Sequence, residues 1–183
     1  INDGLGNFSL VTGTPFTAIE NGFVAFSDID NDGDEDVLIT GNSSQTSEIA
    51  ELYINDGLGN FSLVTGTPFT GVLNSSIAFS DIDNDGDEDV LITGYYTSYI
   101  TELFINDGLG NFSLVTGTPF TGVSSASIAF SDVENDGDED VLISGLDNNG
   151  VSLSELYTND GLGNFSLVTN TSFPGVYEGS IAF

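Results

Sequence analysis

Three short loops of this chain carry a carboxylate at every second position around a central glycine. They occupy residues 28–36, 81–89 and 132–140; the first two read DIDNDGDED and the third reads DVENDGDED. Carboxylates that alternate around a sharp turn can place several oxygens on one hard cation, and Ca²⁺ takes about six to eight of them. The pattern therefore predicts one Ca²⁺ in each acidic loop, three in all. The predicted ligand residues stand at positions 1, 3, 5, 7 and 9 of the loops: Asp28, Asp30, Asp32, Asp34, Asp36, Asp81, Asp83, Asp85, Asp87, Asp89, Asp132, Glu134, Asp136, Asp138 and Asp140.

Each position of an acidic loop has a predicted task. Positions 1, 3, 5 and 9 offer side-chain oxygens, position 7 offers its backbone carbonyl, and the glutamate at position 8 faces water. In the third loop Glu134 replaces the aspartate found at position 3 of the other two. Because its side chain is one methylene longer, we expect the third site to be weaker or less regular.

Two other interpretations of the loops are less favoured. An EF-hand needs a bidentate glutamate at position 12, where this chain has Ile39, Ile92 and Ile143. The loops could instead be solvated Asp-rich turns that bind nothing. Three copies at near-constant spacing favour the cation site over such turns.

The acidic loops belong to a longer repeat. The string INDGLGNFSLVTGTPFT begins at residues 1, 54 and 105 and returns in drifted form from residue 158, with spacings of 53, 51 and 53 residues. In the second unit four short apolar-rich runs, at 76–81, 89–93, 101–106 and 111–116, are separated by Gly, Asn and Asp, and none has helical periodicity. We name these runs strands a, b, c and d. Four antiparallel strands in each unit of about 50 residues are typical of a propeller blade.

The predicted fold class is therefore all-β, with tandem four-stranded antiparallel blades of the β-propeller type. Residues 1–183 form one array of about three and a half repeats, with units at approximately 1–22 (partial), 23–75, 76–126, 127–179 and 180–183 (partial). Because successive strands reverse direction, the acidic a–b loop and the NDGLGN turn between strands c and d share one end of each blade. The variable b–c segments and the constant connector TGTPFTGV share the other end.

The composition excludes several classes of function. The chain has no Lys, Arg, His or Cys and 29 acidic residues, which give a formal net charge of −29, and 18 of these acids lie in the three loops. A chain without cationic side chains lacks the usual footprint for nucleic acid or an anionic membrane, and no apolar run approaches the ~20 residues that span a bilayer. Glu51, Glu102 and Glu155 recur in every unit, unlike a catalytic pair. We expect a folded protein that is not an enzyme, with no nucleic-acid partner and no membrane insertion.

Two of these motifs resemble those of a known family. FSDIDNDGDEDVLITG from residue 26 resembles the calcium loop and following strand of the FG-GAP/VCBS repeats, which form the propellers of integrin α-subunits and occur in many bacterial secreted proteins. ELYINDGLGNF from residue 51 resembles the c–d hairpin of these repeats, and the resemblance covers essentially the whole chain. It implies four-stranded blades, Ca²⁺ at the loop residues named above, and a secreted or cell-surface location.

The number of blades is compatible with more than one assembly. Propellers of this family usually close with about seven blades, and three and a half cannot close a ring. The chain could be part of a longer propeller, two chains could complete one ring, or the repeats could continue as an open array. Since unpaired strand edges are association sites, we expect self-association or contact with neighbouring repeats of a longer chain.

Three functions are compatible with these features. The leading prediction is a calcium-binding extracellular repeat protein with a non-catalytic structural or adhesive role. The first alternative is the repeating subunit of a self-assembling cell-surface filament. The second is a carbohydrate-binding or enzyme-associated propeller with a glycan or protein ligand on the variable b–c loops, where Tyr95, Tyr96 and Tyr99 cluster.

Overall fold

The computed structural model describes residues 4–44 and 47–182, and this part of the chain is all-β, as predicted. The described residues contain no helix that could cross a membrane. Twelve strands follow in chain order: β1 (Ile19–Ser27), β2 (Asp36–Ser43), β3 (Ser47–Asn55), β4 (Phe61–Leu63), β5 (Leu73–Ser80), β6 (Asp89–Tyr95), β7 (Tyr99–Asn106), β8 (Phe112–Leu114), β9 (Val123–Ser131), β10 (Asp140–Asp147), β11 (Ser152–Asn159) and β12 (Phe165–Leu167).

The strands form three four-stranded antiparallel blades, in which each strand pairs with the next along the chain. The first blade is β1 to β4, the second β5 to β8 and the third β9 to β12. One residue pair, Ile100 with Val123, joins β7 to β9, so that the second and third blades share one eight-stranded sheet. Strand a of each blade lies beside strand a of the next, β1 beside β5 and β5 beside β9. The sheets do not close in the described part of the chain, and the array is open and propeller-like.

The predicted strands are present, with different lengths. In the second blade the first strand begins at Leu73 rather than at residue 76, and strand d is reduced to Phe112–Leu114. Strand d is short because its pairing with β7 ends at Leu114 opposite Phe104. After one further bond, from the Val115 amide to the Leu103 carbonyl at 2.9 Å, the chain leaves the sheet as the connector to the next blade.

The hydrophobic core lies between the blades, and strand b contributes to both sides of it. Val90 and Ile92 of β6 pack toward the first blade in one buried cluster, whereas Leu91 belongs to the cluster shared with the third blade. All three side chains are buried, because successive residues of a strand point to opposite faces. This placement explains why the strand is apolar on both faces.

Each connector inserts one aromatic ring into the blade that follows it. Phe69 packs against Phe104 and Phe112 of the second blade, with ring centroids 5.0 Å apart in both contacts. Phe16 and Phe120 make the corresponding contacts with the first and third blades. The constant sequence of the connector therefore reflects a constant packing site.

The outer end of the third blade is more exposed than the junctions. Val133 of the third acidic loop is 37% exposed, whereas Ile29 and Ile82 at the same loop position are fully buried beneath the following blade. Residues 176–182 run beside β9, where the Glu178 amide donates to the Ser125 carbonyl at 2.9 Å.

Candidate metal centres

Each acidic loop joins strand a to strand b and turns sharply at its sixth residue. Gly33, Gly86 and Gly137 have φ values of 95°, 94° and 97°. Glycine adopts this region without steric cost, so the turn itself requires the glycine.

Backbone amides within the loop orient the carboxylates. In the first loop the Gly33 amide donates to Asp28 Oδ2 at 3.0 Å, and the Asp34 amide donates to Asp32 Oδ1 at 3.0 Å. The second loop repeats both bonds, to Asp81 at 3.1 Å and to Asp85 at 3.0 Å. In the second loop the Asp85 amide also donates to Asp81 Oδ1 at 3.0 Å, so both Asp81 oxygens accept an amide, whereas Asp28 Oδ1 accepts none.

The carboxylates at positions 1, 3 and 5 converge in the first two loops. In each triad, one oxygen per residue lies within 4.8 Å of the others. The two triads are Asp28, Asp30 and Asp32, and Asp81, Asp83 and Asp85. A cation between them would touch all three residues.

Several triad oxygens are buried and accept no hydrogen bond. They are Asp28 Oδ1, Asp30 Oδ1 and Asp83 Oδ1. Burial, together with the charges of Asp32 and Asp28, raises the pKa of Asp30 above its ordinary value, and burial with the charges of Asp85 and Asp81 does the same to the pKa of Asp83. Buried anionic oxygens without a donor are costly. The donor set, all hard carboxylate oxygens, therefore fits a hard divalent cation such as Ca²⁺.

The aspartate at position 9 closes the loop. Asp36 is fully buried, and its two oxygens accept the Ile29 amide at 3.2 Å and the Asn55 amide at 2.8 Å. Asp89 and Asp140 accept the corresponding amides in the other blades. These residues lie outside the converging triads, so their role as metal ligands stays a prediction. Their hydrogen bonds to the end of strand c fasten the loop to that strand.

Position 7 lies between its own c–d turn and the preceding blade. Asp87 Oδ1 accepts Asn31 Nδ2 of the first loop at 2.7 Å. Gly108 of the c–d turn lies so close that a Cβ placed there would come within 2.5 Å of Asp87 Oδ2. The acidic loop and the c–d turn thus share one end of the blade, as predicted. In the second and third loops the side chain of position 7 thus accepts a hydrogen bond from the preceding loop, and its backbone carbonyl stays the predicted ligand.

The third loop differs from the other two. Asp132 accepts the amides of Asp136 and Gly137 at 3.1 and 3.0 Å, as Asp81 accepts those of Asp85 and Gly86 in the second loop. Among the described residues, however, its carboxylates at positions 1, 3 and 5 do not converge as the other two triads do. Three features set this loop apart: valine instead of isoleucine at position 2, Glu134 at position 3, and the absence of a following blade over Val133 in the described chain. This difference favours the expectation of a weaker third site.

The glutamates at position 8 are less solvated than predicted. Glu35 is exposed, but Glu88 and Glu139 are half-buried. Burial raises the pKa of Glu88, and the charges of Asp81, Glu35 and Glu139 raise it further. The position-8 side chains of neighbouring blades therefore lie near one another, because the first strands of the blades are adjacent.

Sequence reasoning missed the asparagines that join the blades. Asn106 Nδ2 donates to the Ile29 carbonyl and Asn159 Nδ2 to the Ile82 carbonyl, both at 2.7 Å. Each asparagine ends strand c of one blade and reaches position 2 of the preceding acidic loop. The signal was present as an invariant Asn before Asp-Gly, but it coincides with an ordinary turn sequence.

The residues that build these loops also define a family. The model of the FG-GAP-like repeat matches residues 28–92 and again residues 81–143. Each match begins at the first aspartate of one acidic loop and ends in strand b of the next blade. The two matches cover more than half of the chain, which therefore belongs to the FG-GAP-like repeat family. Repeats of this family are typical of extracellular proteins and are generally not enzymatic. A comparison with curated proteins gives no match.

Proposed function

We propose that this chain is a calcium-stabilised extracellular repeat protein with a structural or adhesive role and no catalytic activity. One observation carries the proposal: carboxylates converge in the first two acidic loops, with buried oxygens that lack a hydrogen-bond donor. A divalent cation would supply the missing partner and offset the repulsion within each loop. Its task would be to hold strand a, strand b and the c–d turn in one arrangement.

Calcium is preferred over magnesium for a chemical reason. Ca²⁺ accepts irregular sets of carboxylate and carbonyl oxygens, whereas Mg²⁺ demands a near-octahedral set and retains its waters. The loop offers side-chain oxygens at three converging positions and a backbone carbonyl at position 7. Extracellular calcium is abundant enough for sites of modest affinity, which accords with an extracellular setting.

Calorimetric titration with Ca²⁺ tests the proposal. We expect two sites of similar affinity in the first two loops and a weaker third, each replaced by Mg²⁺ only at much higher concentration. Asp30→Asn and Asp83→Asn should each remove one of the stronger sites. Glu35→Gln is the matched control, because it removes the same charge from an exposed residue of the same loop. Loss of binding in the Glu35→Gln protein equal to that in Asp30→Asn would show that bulk charge, not a site, attracts the ion.

The surface of the third blade beside β9 supports further blades as partners. Two bonds attach residues 176–182 to β9: the Glu178 amide donates to the Ser125 carbonyl at 2.9 Å, and the Ile181 amide donates to Ser127 Oγ at 3.0 Å. The partners we propose are further blades of the same type, in a longer chain or a second copy. Light scattering of the purified chain at rising concentration tests the second copy, and a constant monomer mass would exclude it.

The tyrosine cluster gives less support to a carbohydrate site. The Tyr99 backbone exchanges two hydrogen bonds with the Asn148 side chain of the third blade, at 2.9 and 3.1 Å, and the Tyr99 ring packs edge-on against Tyr95 with centroids 5.7 Å apart. These contacts hold the b–c loops of two blades together. The Tyr99 ring therefore has a packing partner in Tyr95, whereas Tyr96 remains half exposed to solvent.

A further inference from the structure

Neighbouring acidic loops are joined by direct hydrogen bonds. Asn31 Nδ2 of the first loop donates to Asp87 Oδ1 of the second at 2.7 Å, and Asn84 Nδ2 of the second donates to Asp138 Oδ1 of the third at 2.9 Å. Position 4 of each loop thus holds position 7 of the next. A hydrogen bond to a carboxylate is among the stronger kinds in proteins.

The asparagine at position 4 stands between two of the converging carboxylates. Asn31 follows Asp30 and precedes Asp32. Its φ is 57°, and those of Asn84 and Asn135 are 60° and 58°. Asparagine tolerates this left-handed conformation, and the conformation directs its side chain out of its own loop toward the next blade.

A second connection runs parallel to the first. Asn106 donates from its side chain to the Ile29 carbonyl at 2.7 Å and from its backbone amide to Asp89 Oδ1 at 2.8 Å. It therefore ties position 2 of the first loop to position 9 of the second. Two separate bonds restrain each pair of loops, so the conformation of one loop depends on that of the other.

We propose that Asn31 and Asn84 are positioning residues that couple neighbouring cation sites, so that a cation bound in one loop raises the affinity of the adjacent loop. The inference rests on the proposed calcium function. Binding must fix a loop whose carboxylates repel one another, and fixing a loop costs conformational entropy. A loop already held by an ordered neighbour requires less further ordering, and this gives positive coupling.

Repulsion between bound cations acts in the opposite direction. Each loop carries six acidic residues, so it stays net negative after it takes one divalent ion. The field that a loaded loop exerts on its neighbour still attracts cations, but less than that of an empty loop, so electrostatics alone would lower the neighbour's affinity. Salt near physiological strength screens that field over about 8 Å, whereas the hydrogen bonds act by contact. Coupling through Asn31 should accordingly survive added salt.

Glycine variants isolate the side-chain bond. Asn31→Gly keeps access to positive φ and removes the donor, so the turn itself stays unstrained. Asn135→Gly is the matched control: Asn135 occupies the same position with nearly the same φ, and its side chain donates no hydrogen bond among the described residues. Asn84→Gly tests the same effect between the second and third loops, should the first variant fold poorly.

The experiment measures Ca²⁺ binding to the first loop by the amide resonance of Gly33 in the ¹⁵N-glycine-labelled full chain. The second loop is left competent or disabled by Asp83→Asn with Asp85→Asn. We expect that disabling the second loop lowers the Ca²⁺ affinity of the first loop about fivefold or more. This should hold in the parent chain and in the Asn135→Gly protein. In Asn31→Gly the same disabling should change the affinity less than about twofold.

Two results would overturn the inference. One is a Ca²⁺ affinity of the first loop that stays the same in the parent chain when the second loop is disabled. The other is a loss of affinity in the Asn31→Gly protein as large as that in the parent chain. In either case binding at Gly33 would persist and the proposed calcium function would stand. If the Gly33 resonance instead failed to respond to Ca²⁺ in every chain, the proposed function itself would fail.

Discussion

Asn106 joins two blades through Ile29: its side-chain amide donates to the Ile29 carbonyl across the blade junction at 2.7 Å. Both residues are buried, Ile29 completely and Asn106 with 2% of its surface exposed. The same relationship links Asn159 to Ile82 one blade further on. A buried polar bond of this kind fixes the register of one blade against the next.

Removing this bond should loosen the junction. We expect Asn106→Ala to lower the free energy of unfolding by about 2 kcal/mol more than Asn55→Ala, because it leaves the buried Ile29 carbonyl without its partner. Asn55 holds the same place in the first blade, but its side chain reaches only the Glu35 carbonyl of its own blade, at 3.2 Å. Urea unfolding at constant calcium gives both values. Equal losses in the two variants would show that the junction does not depend on this bond.

A methyl group on the c–d turn should disturb the second acidic loop. Gly108 and Gly59 have φ values of 72° and 81°, so alanine is strained at both. A Cβ on Gly108 would come within 2.5 Å of Asp87, which Asn31 holds in place, whereas a Cβ on Gly59 would meet nothing within 4 Å. Gly108→Ala should therefore weaken Ca²⁺ binding and lower stability by about 1–2 kcal/mol more than Gly59→Ala. Calorimetric titration and thermal unfolding of the two variants measure the difference.

The pH dependence of stability should reverse when calcium is added. In the calcium-free protein, burial raises the pKa of Asp89 to about 7, although hydrogen bonds from the Asn106 and Ile82 amides oppose the rise. An unfolded aspartate has a pKa of about 3.9, so between these values the folded chain binds more protons and its stability falls as the pH rises. The Tm without calcium should therefore increase from about pH 7 to about pH 5.

With saturating calcium we expect the opposite trend over the same range, because protons then displace the bound cation. Calorimetry at both pH values, with calcium or with a chelator, tests the reversal. Acidification also lessens general repulsion in this anionic chain, so Asp89→Asn serves as the control and should flatten the calcium-free trend. A calcium-free Tm that falls on acidification would contradict the account.

The third loop should gain affinity when its irregular residue is corrected. Glu134→Asp gives the loop the same carboxylates as the other two, and we expect it to strengthen the weakest Ca²⁺ site by several-fold. The reciprocal change, Asp30→Glu, should weaken the first loop by a similar factor. Calorimetric titration of both variants decides the matter. If neither substitution changed the Ca²⁺ affinity of its loop, the length of the position-3 side chain would not explain the difference between the loops.

The repeat pattern predicted most of the fold. Alternating apolar residues, the Asp-Gly turns and the spacing of about 50 residues were sufficient for four strands per blade and for the end at which each loop lies. Strand length was less predictable, because strand d at β8 ends where the connector must leave the sheet. Such an end depends on the neighbouring blade and not on local sequence.

The sequence predicted the kind of site and its converging carboxylates, but not the hydrogen bonds that surround them. The positions of Asp28, Asp30 and Asp32 predicted the converging carboxylates. The bonds of Asn31 and Asn106 were missed because each connects residues more than 50 positions apart, and both asparagines also suit an ordinary turn. The recurrence of Glu51 and Glu155 did not reveal their contacts: each is half-buried and accepts a hydrogen bond from the tyrosine two residues further on, at 2.6 Å.

The most direct test of calcium stabilisation is the Tm of the full chain across a Ca²⁺ titration, with Mg²⁺ and matched ionic strength as controls. Binding to the folded state alone adds about 2.7 kcal/mol per site at 100 times the dissociation constant. We predict a Tm that climbs continuously with Ca²⁺, climbs less in Asp30→Asn and Asp83→Asn, and returns to its starting value with a chelator. An identical Tm in excess Ca²⁺ and in excess chelator would contradict the account.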